Sequence, residues 1–195
     1  MGDPICKWRK VSAKNVVDIV SWLPKTVCSE DDYKRHMSQC PIGGNAYIRT
    51  AYQLSCQLGL QYVDDEGLFH PKFGHDITEE EAESHLRHWV TRYYVPNPYT
   101  RRGFDNIRYS VILLYAVVDV AAAGNGLQHL EDVCNAIFGE TTGNLPQVKS
   151  MLCDFSNIIH IGTDFNVTAN NANIPGYHIY ADRNDKEAFF NFING

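Results

Sequence analysis

Gly59-Leu60-Gln61-Tyr62-Val63-Asp64-Asp65-Glu66-Gly67-Leu68-Phe69-His70 is the stretch that decides the fold. Two short apolar runs, 60–63 and 67–70, flank three consecutive acids, the pattern of two strands around a polar turn. Directly upstream, Ala46 to Leu58 carries helical periodicity and Gly59 stops it. Ser12 is placed to cap an earlier helix running through Leu23, with Val16, Val17, Ile19, Val20 and Leu23 as its apolar set and Pro24 as its end. Ser29, followed by Glu30, Asp31 and Asp32, opens a second helix to about Gln39, its acids suited to the positive end of the helix dipole. Downstream, Thr78-Glu79-Glu80-Glu81 is a capping box. It opens a helix with Ala82, Leu86, Trp89, Val90 and Tyr93 on one face, ended by Pro96-Asn97-Pro98.

The same order recurs in the second half. Ile107 to Ala123 fits an apolar helix, Leu127 to Phe138 a second, and Leu145 to Phe155 a third, capped by Asn144 with Pro146 in its first turn. Asn157 to Gly162 and Tyr177 to Ala181 fit the strands of another hairpin, around an Asn-rich loop, and Asp185 to Ile193 a closing helix. The expected fold is therefore α+β: mainly α with short β-hairpins, in two tandem winged-helix-like subdomains. They cover 1–96 and 107–195, joined by a linker over 97–106. The halves share no sequence identity, only this order.

Bulk properties agree with a folded globular chain. Of 195 residues, 44% are hydrophobic, enough for one sizeable core or two small ones. The longest apolar run, Val111 to Ala123, is broken by Asp119 and falls short of the ~18–20 residues that span a bilayer, so no membrane partner is expected. Met1 to Lys10 lacks the apolar centre of a signal peptide. The six cysteines are scattered without a Cys-x-x-Cys, which points to free thiols and a cytoplasmic setting. In that setting the Asn166-Val167-Thr168 sequon is coincidental.

The net charge of −6 is unevenly spread. Residues 1–50 hold 8 basic and 5 acidic side chains, 51–85 hold 1 and 8, 86–110 hold 5 and 1, and 111–195 hold 3 and 9. The acidic total argues against binding nucleic acid through a bulk field, while leaving room for a local basic surface.

In a winged helix the third helix usually enters the DNA major groove. Arg49, Gln53 and Gln57 recur at i, i+4 and i+8, forming one stripe on the 46–58 helix. Arg reads guanine and Gln reads adenine by paired hydrogen bonds. Equivalent candidates in the second half are Gln147 and Lys149, with Ser150. Arg92, Arg101, Arg102 and Arg108, interleaved with Tyr93, Tyr94 and Tyr99, form the densest basic cluster, able to hold phosphates or to pair with the acidic 79–83 run. Asp64, Asp65 and Glu66 at the first turn would repel phosphate. Two functions fit: recognition of double-stranded DNA, or a protein-interaction module on the same scaffold.

From Thr50 to Phe138 the chain resembles the DNA-recognition region of type IIS restriction and nicking endonucleases. The likeness rests on the hairpin from Gly59 to Phe73, the acidic-start helix ending in Trp89 and Tyr93-Tyr94, and the Pro-Asn-Pro linker. The apolar helix from Ile107 and the Leu-x-x-Leu-Glu start at 127–131 complete it. This resemblance implies tandem winged-helix subdomains that read an asymmetric site. It also implies a nuclease in a separate subunit or domain, because the Pro-Asp…Asp/Glu-x-Lys metal site of such enzymes is missing. Asp32-Tyr33-Lys34, the one Asp-x-Lys, falls in a predicted helix with no Pro-Asp before it.

No other chemistry is signalled. Cys28, His36 and Cys40, with Cys6 as a possible fourth ligand, lack the tight Cys pair of structural zinc sites. Phosphate loops, dinucleotide fingerprints, nucleophile elbows and His-Glu-x-x-His are absent. No catalytic residue, metal or cofactor is assigned.

Overall fold

The computed structural model describes residues 12–39, 52, 54–90, 92–95, 97–99, 108–109, 128–132, 145–146, 149, 159–169 and 184–195. They form an α+β protein of α-helices and short antiparallel sheets. The chain divides into two compact units. One comprises Ala13–Trp89, Pro96–Gly103 and Tyr180–Gly195; the other comprises Met1–Ser12, Val90–Val95 and Phe104–Ile179. The segment expected as a linker is thus shared between them, and the C-terminal helix belongs with the N-terminal helices.

In the first unit, α1 (Ala13–Trp22) buries Val16, Ile19 and Val20, an i, i+3, i+4 set. Helix α2 (Glu30–Met37) starts as expected: Ser29 is extended and its hydroxyl accepts from the Asp32 amide at 3.2 Å. Tyr33 and Met37 are its buried face, and the Tyr33 ring stacks on Phe69 at 3.9 Å.

Tyr52 and residues 54–57 are helical. The expected start at Ala46 lies outside the described residues. The helix ends where Gly59 turns left-handed at φ 68°. Leu60 N–H donates to Ser55 O and Gly59 N–H to Cys56 O, the paired bonds of a Schellman cap. The next carbonyls are taken by side chains from elsewhere. Trp89 Nε1 donates to Gln57 O at 3.0 Å, His85 Nε2 to Leu58 O at 2.7 Å, and Asn194 Nδ2 to Gly59 O at 2.9 Å. A helix end inside the fold is thereby left with satisfied acceptors.

Strands β1 (Gln61–Val63) and β2 (Phe69–Pro71) pair antiparallel, Val63 opposite Phe69. Cys28, between α1 and α2, also pairs with Phe69. Gln61 is buried, and its amide donates to Tyr33 Oη and Ser55 Oγ, so a polar side chain at an inward position is satisfied. Tyr62 and His70, opposite each other on the other face, stack at 4.6 Å. Phe190 packs on Tyr62 at 4.7 Å.

Helix α3 (Glu79–Val90) opens with the expected capping box. Thr78 Oγ1 accepts from Glu81 N–H, and Glu81 Oε2 accepts from Thr78 N–H at 2.8 Å. Removing the hydroxyl in Thr78→Ala is expected to cost about 1 kcal/mol. For a chain of this size that lowers the melting temperature by about 2–4 °C, readable by calorimetry. An unchanged melting temperature would mean that the Thr78 hydroxyl contributes nothing.

The helix stops at Val90 rather than continuing to the prolines. Tyr94–Val95 is strand β3, paired with β4 (Arg108–Tyr109) in the second unit. Two causes are local: Pro96 biases Val95 toward extended backbone, and Tyr-Val favours a strand. The helix expected from Ile107 is therefore corrected at its start, and its remainder from 110 to 123 lies outside the described residues.

The rest of the second unit is a three-stranded sheet in the order β5-β7-β6: β5 (Gln128–His129), β6 (Ile159–Ile161) and β7 (Asn166–Ala169). Helix was expected from Leu127, but Gln128 and His129 are extended and helix is found at 130–132. The second hairpin also differs from expectation. The first residues of the Asn-rich stretch form β7 itself, paired with β6. A short turn closes on Gly162 and on Phe165, which is left-handed at φ 62°. The 177–181 segment expected as a strand lies outside the described residues.

Helix α4 (Lys186–Asn194) is capped by Asp185, which accepts from Ala188 N–H at 2.8 Å. It buries Phe189 and Ile193. Among the described residues no helix is long and apolar enough to cross a membrane.

Candidate functional site

On the 54–58 stretch, Leu54, Ser55, Cys56 and Leu58 are buried, whereas Gln57 is half-buried. Gln57, one member of the predicted stripe, is thus less buried than its neighbours 54–56 and 58, as is Tyr52. Arg49 and Gln53, the other two members, lie outside the described residues, as do Arg101, Arg102 and Gln147. Arg92 is half-buried, and Arg108 lies in β4.

Tyr99 corrects the expectation that it holds phosphate. Its ring meets Tyr52 edge-on at 6.4 Å and Phe189 at 5.9 Å. Its hydroxyl is buried beside the Cys56 thiol, and burial pushes the phenol far above its ordinary range. Asn97 Oδ1 accepts from the Tyr99 amide at 3.0 Å and fixes the turn that directs the ring inward. An aromatic ring next to prolines and arginines looks like a surface residue in sequence; here it fills space between the third helix and α4. Cys56 is a core thiol, pushed up to about 12 by burial, and so is a poor nucleophile.

The acidic tip of the first hairpin has an internal use. Asp64 Oδ1 accepts from the amides of Glu66 and Leu68, and Oδ2 pairs with His70 Nε2 at 2.7 Å. These bonds hold the Asp64 carboxyl below its usual range. Asp65 and Glu66 are the exposed acids that remain there.

Two arrangements were invisible to sequence reasoning. His85 is buried, and its Nε2 faces a carbonyl, so the proton sits on Nε2 and Nδ1 accepts from Lys72 Nζ at 2.7 Å. Burial foremost, then the Lys72 charge, pushes His85 down to about 3, and burial pushes Lys72 down to about 8. The Lys72 ammonium also lies 5.2 Å from the Phe73 ring centre. This chain of contacts serves the end of the third helix.

The second arrangement involves a predicted site residue. Lys149 Nζ donates to Gly162 O at 2.8 Å and lies 5.9 Å from the centre of the Phe165 ring. Lys149 is thus bound to the foot of the second turn rather than extended freely into solvent. Phe165 stands in the second turn where Gly67 stands in the first, four residues after Ile161 and Val63 respectively. Among the described residues no group of three or more His, Cys, Asp or Glu is placed to hold a metal ion. No protein-family model, curated protein or solved structure matches the chain.

Proposed function

We propose that this chain is a sequence-specific recognition module for double-stranded DNA, built on two tandem winged-helix subdomains. In this reading it is the specificity part of a restriction-type endonuclease, working in the cytoplasm with a nuclease supplied by another subunit or domain. One observation carries the architecture. In each half, an extended segment just before a helix pairs with the same residue of the hairpin that the first hairpin strand pairs with. Cys28 and Val63 share Phe69; Gln128 and Ile161 share Val167. Helix follows two residues after Cys28, at Glu30, and two after Gln128, at Leu130. Five residues separate Val63 from Phe69 and Ile161 from Val167, and the left-handed position, Gly67 or Phe165, is the fourth of the five in both. Two unlike sequences that close the same turn and the same register support a repeated unit, and a helix followed by such a hairpin is the winged-helix order.

In this reading the stripe of Arg49, Gln53 and Gln57 supplies the reading face. Selection from a randomised duplex pool at low salt is expected to enrich one sequence, with retention that falls as salt rises. Arg49→Ala is expected to weaken binding to that sequence by about 1–3 kcal/mol. An unenriched pool together with salt-independent retention overturns the proposal. The exposed acids Asp65, Glu66, Glu79 and Glu80 favour the second reading, a protein-interaction module. A basic partner bound in equal amount, with no retention of DNA, would replace the first reading by the second.

A further inference from the structure

The two turns are alike in backbone and differ at the left-handed position, Gly67 or Phe165, and in the lysine bound to the second. In the first, Asp64 occupies the position whose carbonyl accepts from the left-handed residue, and that residue is Gly67. In the second, Gly162 and Phe165 take those places, with Phe165 N–H donating to Gly162 O at 3.1 Å. Each turn has a carboxylate that accepts a backbone amide, Asp64 in the first and Asp164 in the second. The second has a lysine at its foot.

Phe165 is the only non-glycine residue with positive φ among the described residues. An L-residue with a bulky side chain is disfavoured there, and glycine is the usual occupant. Something must hold the ring in place. Its backbone carbonyl accepts from Leu130 N–H at 2.9 Å, tying the turn to the helical residues after β5. Its ring lies 6.1 Å from the His129 ring and within cation–π range of the Lys149 ammonium.

An ammonium has three N–H donors. One is taken by Gly162 O and a second direction is faced by the ring. Among the described residues no carboxylate forms an ion pair with Lys149; its contacts are the carbonyl and the ring. Asp164, the nearest acid along the turn, is engaged by the amide and side chain of Asn166. The cation is oriented, half-exposed and, among the described residues, in no ion pair.

The geometry points to a phosphate site at this place: Lys149, aimed by Gly162 O and by the Phe165 ring, contacts a backbone phosphate of the nucleic acid, and Phe165 is a positioning residue for that contact. This inference rests on the DNA-recognition reading above and deepens it. It assigns phosphate contact to Lys149 at the foot of the second turn.

The test uses the full chain and the duplex enriched from the random pool. Wild type, Lys149→Gln, Lys149→Arg and Phe165→Leu are titrated with that duplex at several salt concentrations. Lys149→Gln is expected to reduce the log–log salt slope by about 1, and Lys149→Arg to keep it. Phe165→Leu keeps the Lys149 charge but removes the ring that orients it, and is expected to bind several-fold more weakly with the slope nearly kept. Amine acetylation of the wild type, read by mass spectrometry, covers the case of a variant that does not fold; Lys149 is expected to be protected by the duplex. Normal wild-type binding with an unchanged slope in Lys149→Gln, or with Lys149 unprotected, overturns the phosphate site and leaves the DNA reading standing. Wild type that retains no duplex at any salt overturns both.

Discussion

Gly59→Ala is expected to destabilise the protein by about 2–4 kcal/mol, a large loss for a single methyl group. Two independent costs combine at this position. The backbone is left-handed at φ 68°, which costs an L-residue about 1–2 kcal/mol. A β-carbon built there also meets Ile193 Cγ2 at 2.5 Å, so α4 must shift, and such overpacking costs about 1–3 kcal/mol. The shift would strain the bond from Asn194 Nδ2 to Gly59 O, which holds α4 to the end of the third helix. Gly67→Ala is the matched control. Gly67 is also left-handed, at φ 81°, but an added β-carbon there meets nothing within 4 Å, so only the backbone cost of about 1–2 kcal/mol applies. Urea unfolding of both variants separates the terms. Equal losses would mean that α4 does not press on Gly59. A larger loss at Gly59, with faster amide exchange in 186–194, is the expected result.

Gly59 also marks how far the sequence could be read. A glycine after a periodic apolar run is a local stop signal, and the Schellman cap follows from it. Ser29, Thr78 and the paired runs around 64–66 are local in the same way, and their elements formed at nearly the positions their chemistry dictates. What failed was decided by partners distant in sequence. Gln128 and His129 sit at the start of an apolar helical run, yet they are drawn into extended backbone by β7, almost forty residues on. Arg108 and Tyr109 likewise pair with β3. Short edge pairings of two residues carry no periodicity, so no pattern along the chain announces them. The candidate site divides the same way. The Arg49, Gln53 and Gln57 stripe is a helical spacing and could be written down from residue order. The inward turn of Tyr99 and the seat of Lys149 on Phe165 depend on neighbours that only folding brings near.

Lowering the pH from 6.5 to 4.5 is expected to remove about 2–3 kcal/mol of stability, and His85 is the cause. Its folded-state pKa is pushed to about 3 against an ordinary value of 6.5, because protonation would place a charge in a buried site next to the Lys72 ammonium. The sign follows from proton counting. Above 6.5 neither state binds the proton. Below 6.5 the unfolded chain binds it while the folded chain does not, so stability falls with pH until about 3. One proton allows at most about 1.4 kcal/mol per pH unit, which sets the size of the effect. The carboxylates held low, Asp64, Asp76, Glu81 and Asp164, act in the same direction, but start from ordinary values near 4 and so contribute mainly below this window. Lys72 acts at the other end. Its pKa, lowered to about 8 from 10.5, makes the unfolded chain the better proton binder between those values, so stability rises as pH climbs through that range. His85→Gln tests the assignment: it is expected to cost about 1–3 kcal/mol at pH 7 by disturbing the bond to Leu58 O, and to flatten the profile between 6.5 and 4.5. Urea midpoints measured at half-unit pH steps give the slope directly. A variant that still loses stability across this window as steeply as the wild type would place the titrating group elsewhere. A flattened profile would confirm that a neutral imidazole, accepting from one lysine and donating to one carbonyl, closes the end of the third helix.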